Sequence, residues 1–247
     1  METQEERKAR FEKAARIFAD RMKAHPEVIG VISSGTFMHD QVDPHSDIDV
    51  HVILEESVNQ RERGNTWVED VEIEYFMNPP QQVRAYFIKE VKSPHTAHML
   101  IHGRVEWKAD PIVDTLIAEA HEIMKNPPAF PNALSLKMMR YQLDDLWKDW
   151  LDCIYREDAF AGGWVKNHYL DFAINSFCQV HRVWRTKDKR LEEQLASISP
   201  AFTLLLKKCF FATWNEMQVM KDLHEMMAGY AGGKRSREWI LRGGLDL

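Results

Sequence analysis

The chain has 247 residues, of which 45% are hydrophobic and 28% charged, with a formal net charge of −6. That length admits two domains of ordinary size, and the apolar share suffices for packed cores. The negative balance excludes a general nucleic-acid surface, which needs a basic excess to neutralise phosphates, but not a single nucleotide held by a few local cations and a metal. Cys153, Cys178 and Cys209 are far apart and form no C-x-x-C pair; they suit reduced thiols buried in a core. The N-terminal METQEERKARFEKAARIF lacks the apolar centre of a signal peptide. No apolar run is long enough to span a bilayer. The sequence therefore predicts a cytoplasmic protein with no membrane partner.

Phe11, Ala14, Ala15, Phe18, Ala19 and Met22 recur at steps of three and four, which predicts a helix with one apolar face, closed by Pro26. Val28 to Ile32 follows as a short buried strand, and Ser33-Ser34-Gly35-Thr36 as a small-residue turn. A helix or loop leads through Asp43-Pro44 to Ser46, and Asp47 to Leu54 alternates as a second strand. Residues 67–77, WVEDVEIEYFM, alternate again and predict one third strand. Asn78-Pro79-Pro80 has the form of a helix start, with Asn78 as cap and Pro79 in the first turn. That helix is expected to run through Val83, Phe87 and Val91. A short strand is expected over His102 to Trp107, and a helix from Asp110-Pro111 to about Met124.

Asn126-Pro127-Pro128-Ala129-Phe130-Pro131 is the strongest punctuation in the chain and sets the expected domain boundary, 1–127 and 128–247. Beyond it the pattern is wholly helical. Leu143, Leu146, Trp147, Trp150, Leu151 and Ile154 share one stripe, and Trp164 to Trp184 and Phe202 to Met227 read as two further long helices. The Trp and Met residues of this half read as core.

Side chains alternate along a strand, so Asp47 and Asp49 point to one face and Ile48, Val50, Val52 and Leu54 to the other. Two carboxylates held that close repel unless something positive lies between them. A divalent ion is the usual answer, and oxygen ligands select a hard one such as Mg²⁺ or Mn²⁺. The glycine of the preceding turn lets backbone N–H groups approach a phosphate closely, and Ser34 and Thr36 add hydroxyl donors. Glu72 and Glu74 share one face of the next strand, and either can join the metal site or act as a base toward an acceptor hydroxyl. His51 lies on the Asp face, to contact substrate or to pack. His95, His98 and His102 share a helix face, but no carboxylate or cysteine completes a zinc set around them.

VISSGTFMHDQVDPHSDIDVHVIL resembles the signature of the DNA-polymerase-beta-like nucleotidyltransferase superfamily: a hydrophobic strand, Gly-Ser, a short helix, Ser-Asp-x-Asp on a strand, and an acidic residue on a later strand. Ser46-Asp47-Ile48-Asp49 matches outright, and VEIEYFMNPP resembles the strand of the third acid, with Glu74 ahead of Tyr75-Phe76. Thr36 stands where the family usually has serine, and Asp40 where many members have glycine. With a helical second half, the layout resembles the bacterial antibiotic nucleotidyltransferases of the kanamycin, streptomycin and lincosamide types.

The resemblance implies an α+β fold, a nucleotidyltransferase-type mixed sheet with flanking helices followed by a C-terminal helical bundle. It implies Asp47, Asp49 and Glu74 as catalytic metal ligands for Mg²⁺ or Mn²⁺. Ser34, Gly35, Thr36 and Ser46 would hold a nucleoside triphosphate, expected to be ATP. Basic segments of the family also reach the phosphates from the helical domain, which makes Lys187, among Arg185, Lys189 and Arg190, a nucleotide-binding candidate, unless the segment is a solvated loop. The reaction implied moves a nucleoside monophosphate to a hydroxyl of a small molecule, with Asp144, Asp145 or Asp149 available to an amine-rich acceptor. A protein-modifying adenylyltransferase and a non-catalytic nucleotide-binding protein on the same fold are the alternatives.

Overall fold

The structure is a computed structural model that describes residues 2–35, 38, 42–90, 93–238 and 240. The chain divides into two compact units, Met1–Asn126 and Pro127–Leu247.

The first unit opens with helix α1 (Gln4–Lys23), whose N-terminus carries a capping box between Thr3 and Glu6. This satisfies two orphan helix-end donors reciprocally. Its buried face is Phe11, Ala14, Ala15, Phe18 and Ala19, the stripe expected from the spacing. Strands β1 (Val28–Ser34), β2 (Ile48–Leu54), β3 (Glu62–Val68), β4 (Val71–Asn78) and β5 (Arg104–Lys108) form one sheet in the order β3-β4-β2-β1-β5. The β2–β4 pair is parallel and the other three pairs are antiparallel, so the sheet is mixed. All seven residues of the central β2 are buried. One sheet face packs Val31, Ile48, Val50, Val52 and Ile73 against α1. The other packs Ile32 and Ile53 against α2 (Pro80–Lys89), α3 (His95–His102) and α4 (Ile112–Lys125). Each large apolar side chain buried this way contributes about 1.5–3 kcal/mol.

The chain departs from the sequence pattern at three places. Residues 67–77 are not one strand: Glu69 and Asp70 both have positive φ, 51° and 57°, and turn the chain between β3 and β4. Two left-handed residues in a two-residue loop match a type I′ hairpin, whose twist suits the flanking strands. Left-handed backbone costs a non-glycine residue about 1–2 kcal/mol. From α1, Arg10 Nη1 donates to the carbonyls of Glu69 (3.3 Å) and Asp70 (3.0 Å), and Lys13 Nζ reaches Glu69 Oε2 at 3.0 Å. Those contacts hold the turn that the sequence, lacking Asn-Gly, does not announce. Second, Asn78 caps no helix. It pairs with Ile53 as the last residue of β4, and Pro79 is the N-cap of α2. Pro80 at N1 has no N–H needing a side-chain acceptor. α2 ends at Lys89, and Val91 lies outside the described residues. Third, the Ser33–Thr36 turn begins late, because Ser33 and Ser34 are still in β1.

The second unit contains α5 (Ala133–Tyr155), α6 (Ala159–Val180), a single 3-10 turn at Asp188–Arg190, α7 (Leu191–Ile198), α8 (Pro200–Phe211) and α9 (Met217–Tyr230). Its core joins Trp150, Tyr169, Phe177, Phe202 and Met220, with Phe177 stacked on Phe202 at 4.0 Å. The three cysteines are free and buried. The helix expected from Phe202 to Met227 is two helices, α8 and α9. The break has identifiable partners: Trp150 Nε1 donates to the Trp214 carbonyl at 2.8 Å, and Lys166 Nζ to the carbonyls of Cys209 (3.1 Å) and Ala212 (2.7 Å). Lys166 is a buried lysine that satisfies the carbonyls orphaned at the end of α8. Gly162 leaves room for Trp214, since a Cβ there would lie 2.4 Å from Trp214 Cε3. Among the described residues, no helix is long and apolar enough to cross a membrane.

Candidate functional site

Cross-strand register brings the acidic residues together. Ser34 of β1 lies opposite Asp49 of β2, and Asp49 lies opposite Glu74 of the parallel neighbour β4. Opposed residues share a sheet face. Asp47 was expected within the strand, but β2 begins at Ile48, one residue later. The lead-in is a tight turn: Ser46 N donates to the Asp43 carbonyl (3.1 Å), Asp43 N to Ser46 Oγ (3.0 Å), and His45 N to Asp43 Oδ1 (2.7 Å). This turn sets the direction from which Asp47 enters.

Carboxylate oxygens of Asp47, Asp49 and Glu74 lie within 4.8 Å of one another, the one such cluster of three or more Asp, Glu, His or Cys among the described residues. Asp49 is buried and Asp47 is the most open of the three. Like charges about 4 Å apart cost about 1 kcal/mol in water and about 4 kcal/mol near a protein surface. Part of that repulsion is offset by Arg63 of β3, whose Nε and Nη2 donate to Glu74 Oε1 at 3.0 and 2.5 Å. Glu74, and more weakly Asp49, push the Arg63 guanidinium above its ordinary range. An all-oxygen donor set of three convergent carboxylates fits a hard divalent ion such as Mg²⁺ or Mn²⁺.

Glu72 stands outside the cluster. It shares the face of Glu74, but its Oε1 accepts from Asn65 Nδ2 at 2.7 Å. Alternation alone does not separate the two glutamates; the register of β4 on β2 does.

Gly35 follows β1 with φ +103°, a conformation L side chains rarely adopt. A Cβ there would lie 3.3 Å from Asp49 Oδ2 and 3.4 Å from Asp49 N. The glycine thus lets the end of β1 pass directly against the buried carboxylate. Ser34 is buried, and its hydroxyl donates to the Asp49 carbonyl at 3.2 Å, tying the two strands beside the cluster. Thr36 and Asp40 lie outside the described residues.

Two steps along the same face, His51 lies opposite Phe76, with the rings stacked at 5.3 Å. His51 is 3% exposed, and neither ring nitrogen has a hydrogen-bond partner among the described residues. Burial pushes its imidazole down to about 4. It borders a cavity of about 650 Å³ that Arg63, Phe76, Asn78 and Tyr86 also line. Arg63 and this cavity are what the sequence reading missed. The signal for Arg63 was its place opposite Phe76 in the β3–β4 hairpin, which is visible only once the turn at Glu69-Asp70 is known.

Other expected residues lie in the second unit. Lys187 is the N-cap of the 3-10 turn. Neighbouring Arg185 is folded against α6, paired with Asp171 (2.6 Å) and with Asp188 (3.0 Å). Asp144 of α5 pairs with Lys148 (3.3 Å) and Arg235 (3.0 Å), so its carboxylate already carries two cations. In the first unit, the His98 and His102 rings lie 4.4 Å apart on α3, tilted by 52°, and form no three-ligand group with His95.

Comparison with family models and with curated proteins finds no match. Among solved structures, the chain is similar to a nucleotidyltransferase-like protein from Exiguobacterium sibiricum, with 15% identity and a TM-score of 0.47, over 90% of this chain and 73% of that one.

Proposed function

We propose that the chain is a divalent-metal-dependent nucleotidyltransferase that moves a nucleoside monophosphate from a nucleoside triphosphate, ATP by preference, to a hydroxyl of a small molecule. The observation that carries this reading is the convergence of the Asp47, Asp49 and Glu74 carboxylates within 4.8 Å. These residues would hold Mg²⁺ or Mn²⁺, which when bound supplies charge neutralisation for the phosphates and the departing pyrophosphate. The acceptor oxygen forms a new bond to the α-phosphorus as the bond to the bridging oxygen breaks. Its proton is taken at a carboxylate oxygen of the cluster and passes to water. Gly35 keeps the approach to Asp49 clear of side chains. Thr36, Ser46 and Lys187 are the further nucleotide contacts of this reading, and Ser34 acts through the Asp49 main chain.

The test is calorimetric titration of Mg·ATP and of Mn²⁺ into wild type, Asp47→Asn and Asp49→Asn, followed by pyrophosphate release with a panel of small hydroxyl compounds. Both variants should lose metal-dependent nucleotide binding while keeping the wild-type melting profile. Undiminished Mn²⁺ and Mg·ATP binding in both would sink the assignment. Binding without release for any acceptor would favour a nucleotide-binding protein that does not turn over.

A further inference from the structure

We infer that the cavity beside the carboxylates is the acceptor subsite, and that it takes an uncharged, hydroxyl-bearing ring docked by its polar edge on the His51 imidazole. This rests on the nucleotidyl-transfer reading for the word acceptor, and on the geometry of the cavity for the ligand class.

The location comes from register. Asp49 faces Glu74, and two residues further along the same strands His51 faces Phe76; that is about 7 Å at the ordinary strand rise. A ligand seated over His51 therefore reaches the carboxylates with one substituent. The volume, about 650 Å³, falls in the range of about 300–1,000 Å³ usual for small-molecule sites.

The chemistry comes from which groups still lack a partner. His51 is almost fully buried, with both nitrogens unpaired among the described residues, and a buried polar group left without a partner costs about 1–3 kcal/mol. An imidazole offers one N–H and one lone pair. A hydroxyl, which both donates and accepts, can meet either. The charged groups of the cavity have partners already. Arg63 holds Glu74, and Arg61 contacts the Tyr86 hydroxyl. Glu62 accepts from Tyr75 at 2.7 Å, and Glu90 from the Thr96 amide (2.7 Å) and hydroxyl (3.0 Å). With two guanidinium groups, Arg61 and Arg63, set against two carboxylates, Glu62 and Glu90, a charged ligand finds no net opposite charge in the lining, whereas a neutral one needs only His51. Phe76 is covered by His51 and by the Arg63 guanidinium, 4.9 Å from its centroid, so Tyr86 is the aromatic lining against which a flat or chair-shaped ring can lie.

The test uses three probes of one ring size: resorcinol, 3-hydroxybenzoate and 3-hydroxybenzylamine. Each is titrated into the full chain and followed by calorimetry and by the imidazole NMR resonances of His51. Resorcinol should move those resonances and bind at least tenfold more tightly than either charged analogue. His51→Phe keeps a ring on Phe76 but removes both nitrogens, and should weaken resorcinol binding at least tenfold. His51→Gln keeps a donor and an acceptor, and should stay within about threefold of wild type. Unmoved His51 resonances in wild type, or equal binding of a charged analogue, overturns the proposal even if His51→Phe fails to fold. Equal resorcinol affinity in His51→Phe overturns it as well. Asp49→Asn separates the two readings: loss of Mg·ATP binding with retained resorcinol binding supports both. Resorcinol binding through His51 in a chain that never binds Mg·ATP keeps the pocket and overturns its role as acceptor subsite.

Discussion

Arg63 Nη2 lies 2.5 Å from Glu74 Oε1, so the third carboxylate of the cluster already carries a guanidinium before any ion arrives. Arg63 is largely exposed, so solvent screens the pair and its hold on Glu74 is weak. Arg63→Gln should therefore free Glu74 and tighten Mn²⁺ binding modestly, by about two- to fivefold. Calorimetric Mn²⁺ titration of both proteins checks this. Weaker binding in the variant would show that Arg63 supports the ion site instead of competing with it.

The two glutamates of β4 should separate cleanly. Glu74 faces Asp49, while Glu72 is held by Asn65. Glu74→Gln should remove most turnover, and Glu72→Gln should change it by less than tenfold, about 1.4 kcal/mol of transition-state stabilisation. Measuring pyrophosphate release for both variants ranks them. The reverse ranking would place the functional acid one pleat away.

Gly35→Ala should damage both stability and site. The positive φ costs an L residue about 1–2 kcal/mol, and the new methyl would press on Asp49 Oδ2 at 3.3 Å. We expect a lower melting temperature together with weaker Mn²⁺ binding. Gly35→Val should be worse on both counts. A variant that is destabilised yet binds Mn²⁺ like wild type would mean that the glycine serves the backbone alone.

Gly162→Ala tests the packing of the second unit. Its Cβ would overlap Trp214, in the segment between α8 and α9. Overpacking of this kind costs about 1–3 kcal/mol. Urea denaturation should show the loss, whereas alanine at Gly163, where a Cβ meets nothing, should be neutral or stabilising.

The helical unit should also lose stability in mild acid through His224. Its ring stacks on Trp147 at 4.8 Å and its Nδ1 is 3.0 Å from the Tyr169 hydroxyl. Burial holds its imidazole below the ordinary value. A folded-state pKa below the unfolded one means that the neutral form is favoured on folding. The contribution is complete above about pH 6.5 and is lost as pH falls through the folded pKa. Stability should thus drop between pH 7 and pH 5 more in wild type than in His224→Phe. Equal drops in urea melts at the two pH values would remove His224 as the cause.

What could be read from the sequence follows from how local each signal is. The stripe of α1, the short apolar β1 and the Ser46-Asp47-Ile48-Asp49 run are written in neighbouring residues, and the structure has α1, β1 and β2 there. The β3 strand, ERGNTWV, is an exposed edge strand with charged and polar residues on both faces, as edges that resist aggregation often are. It shows no alternation to find. Its turn was hidden because Glu69-Asp70 holds no glycine or asparagine and lies between residues that read on as one strand, while its left-handed backbone is held by Arg10 some distance away in the chain. The division of α8 from α9 likewise depends on Trp150 and Lys166 of other helices. The cavity at His51 arises from the packing of α2 and α3 beside β2 and β4, which no single segment encodes.

The parallel pairing of β2 with β4 has a kinetic consequence. Asp49 and Glu74 become neighbours only when those two strands, separated in the chain by β3, are joined. An ion that needs both carboxylates cannot grip an unfolded chain, so its binding energy is added to the native state alone. If this pairing forms after the folding barrier, Mn²⁺ will leave the refolding rate unchanged and slow unfolding by the full factor 1 + [Mn²⁺]/Kd. A divalent ion would then act on this protein as a latch that closes last.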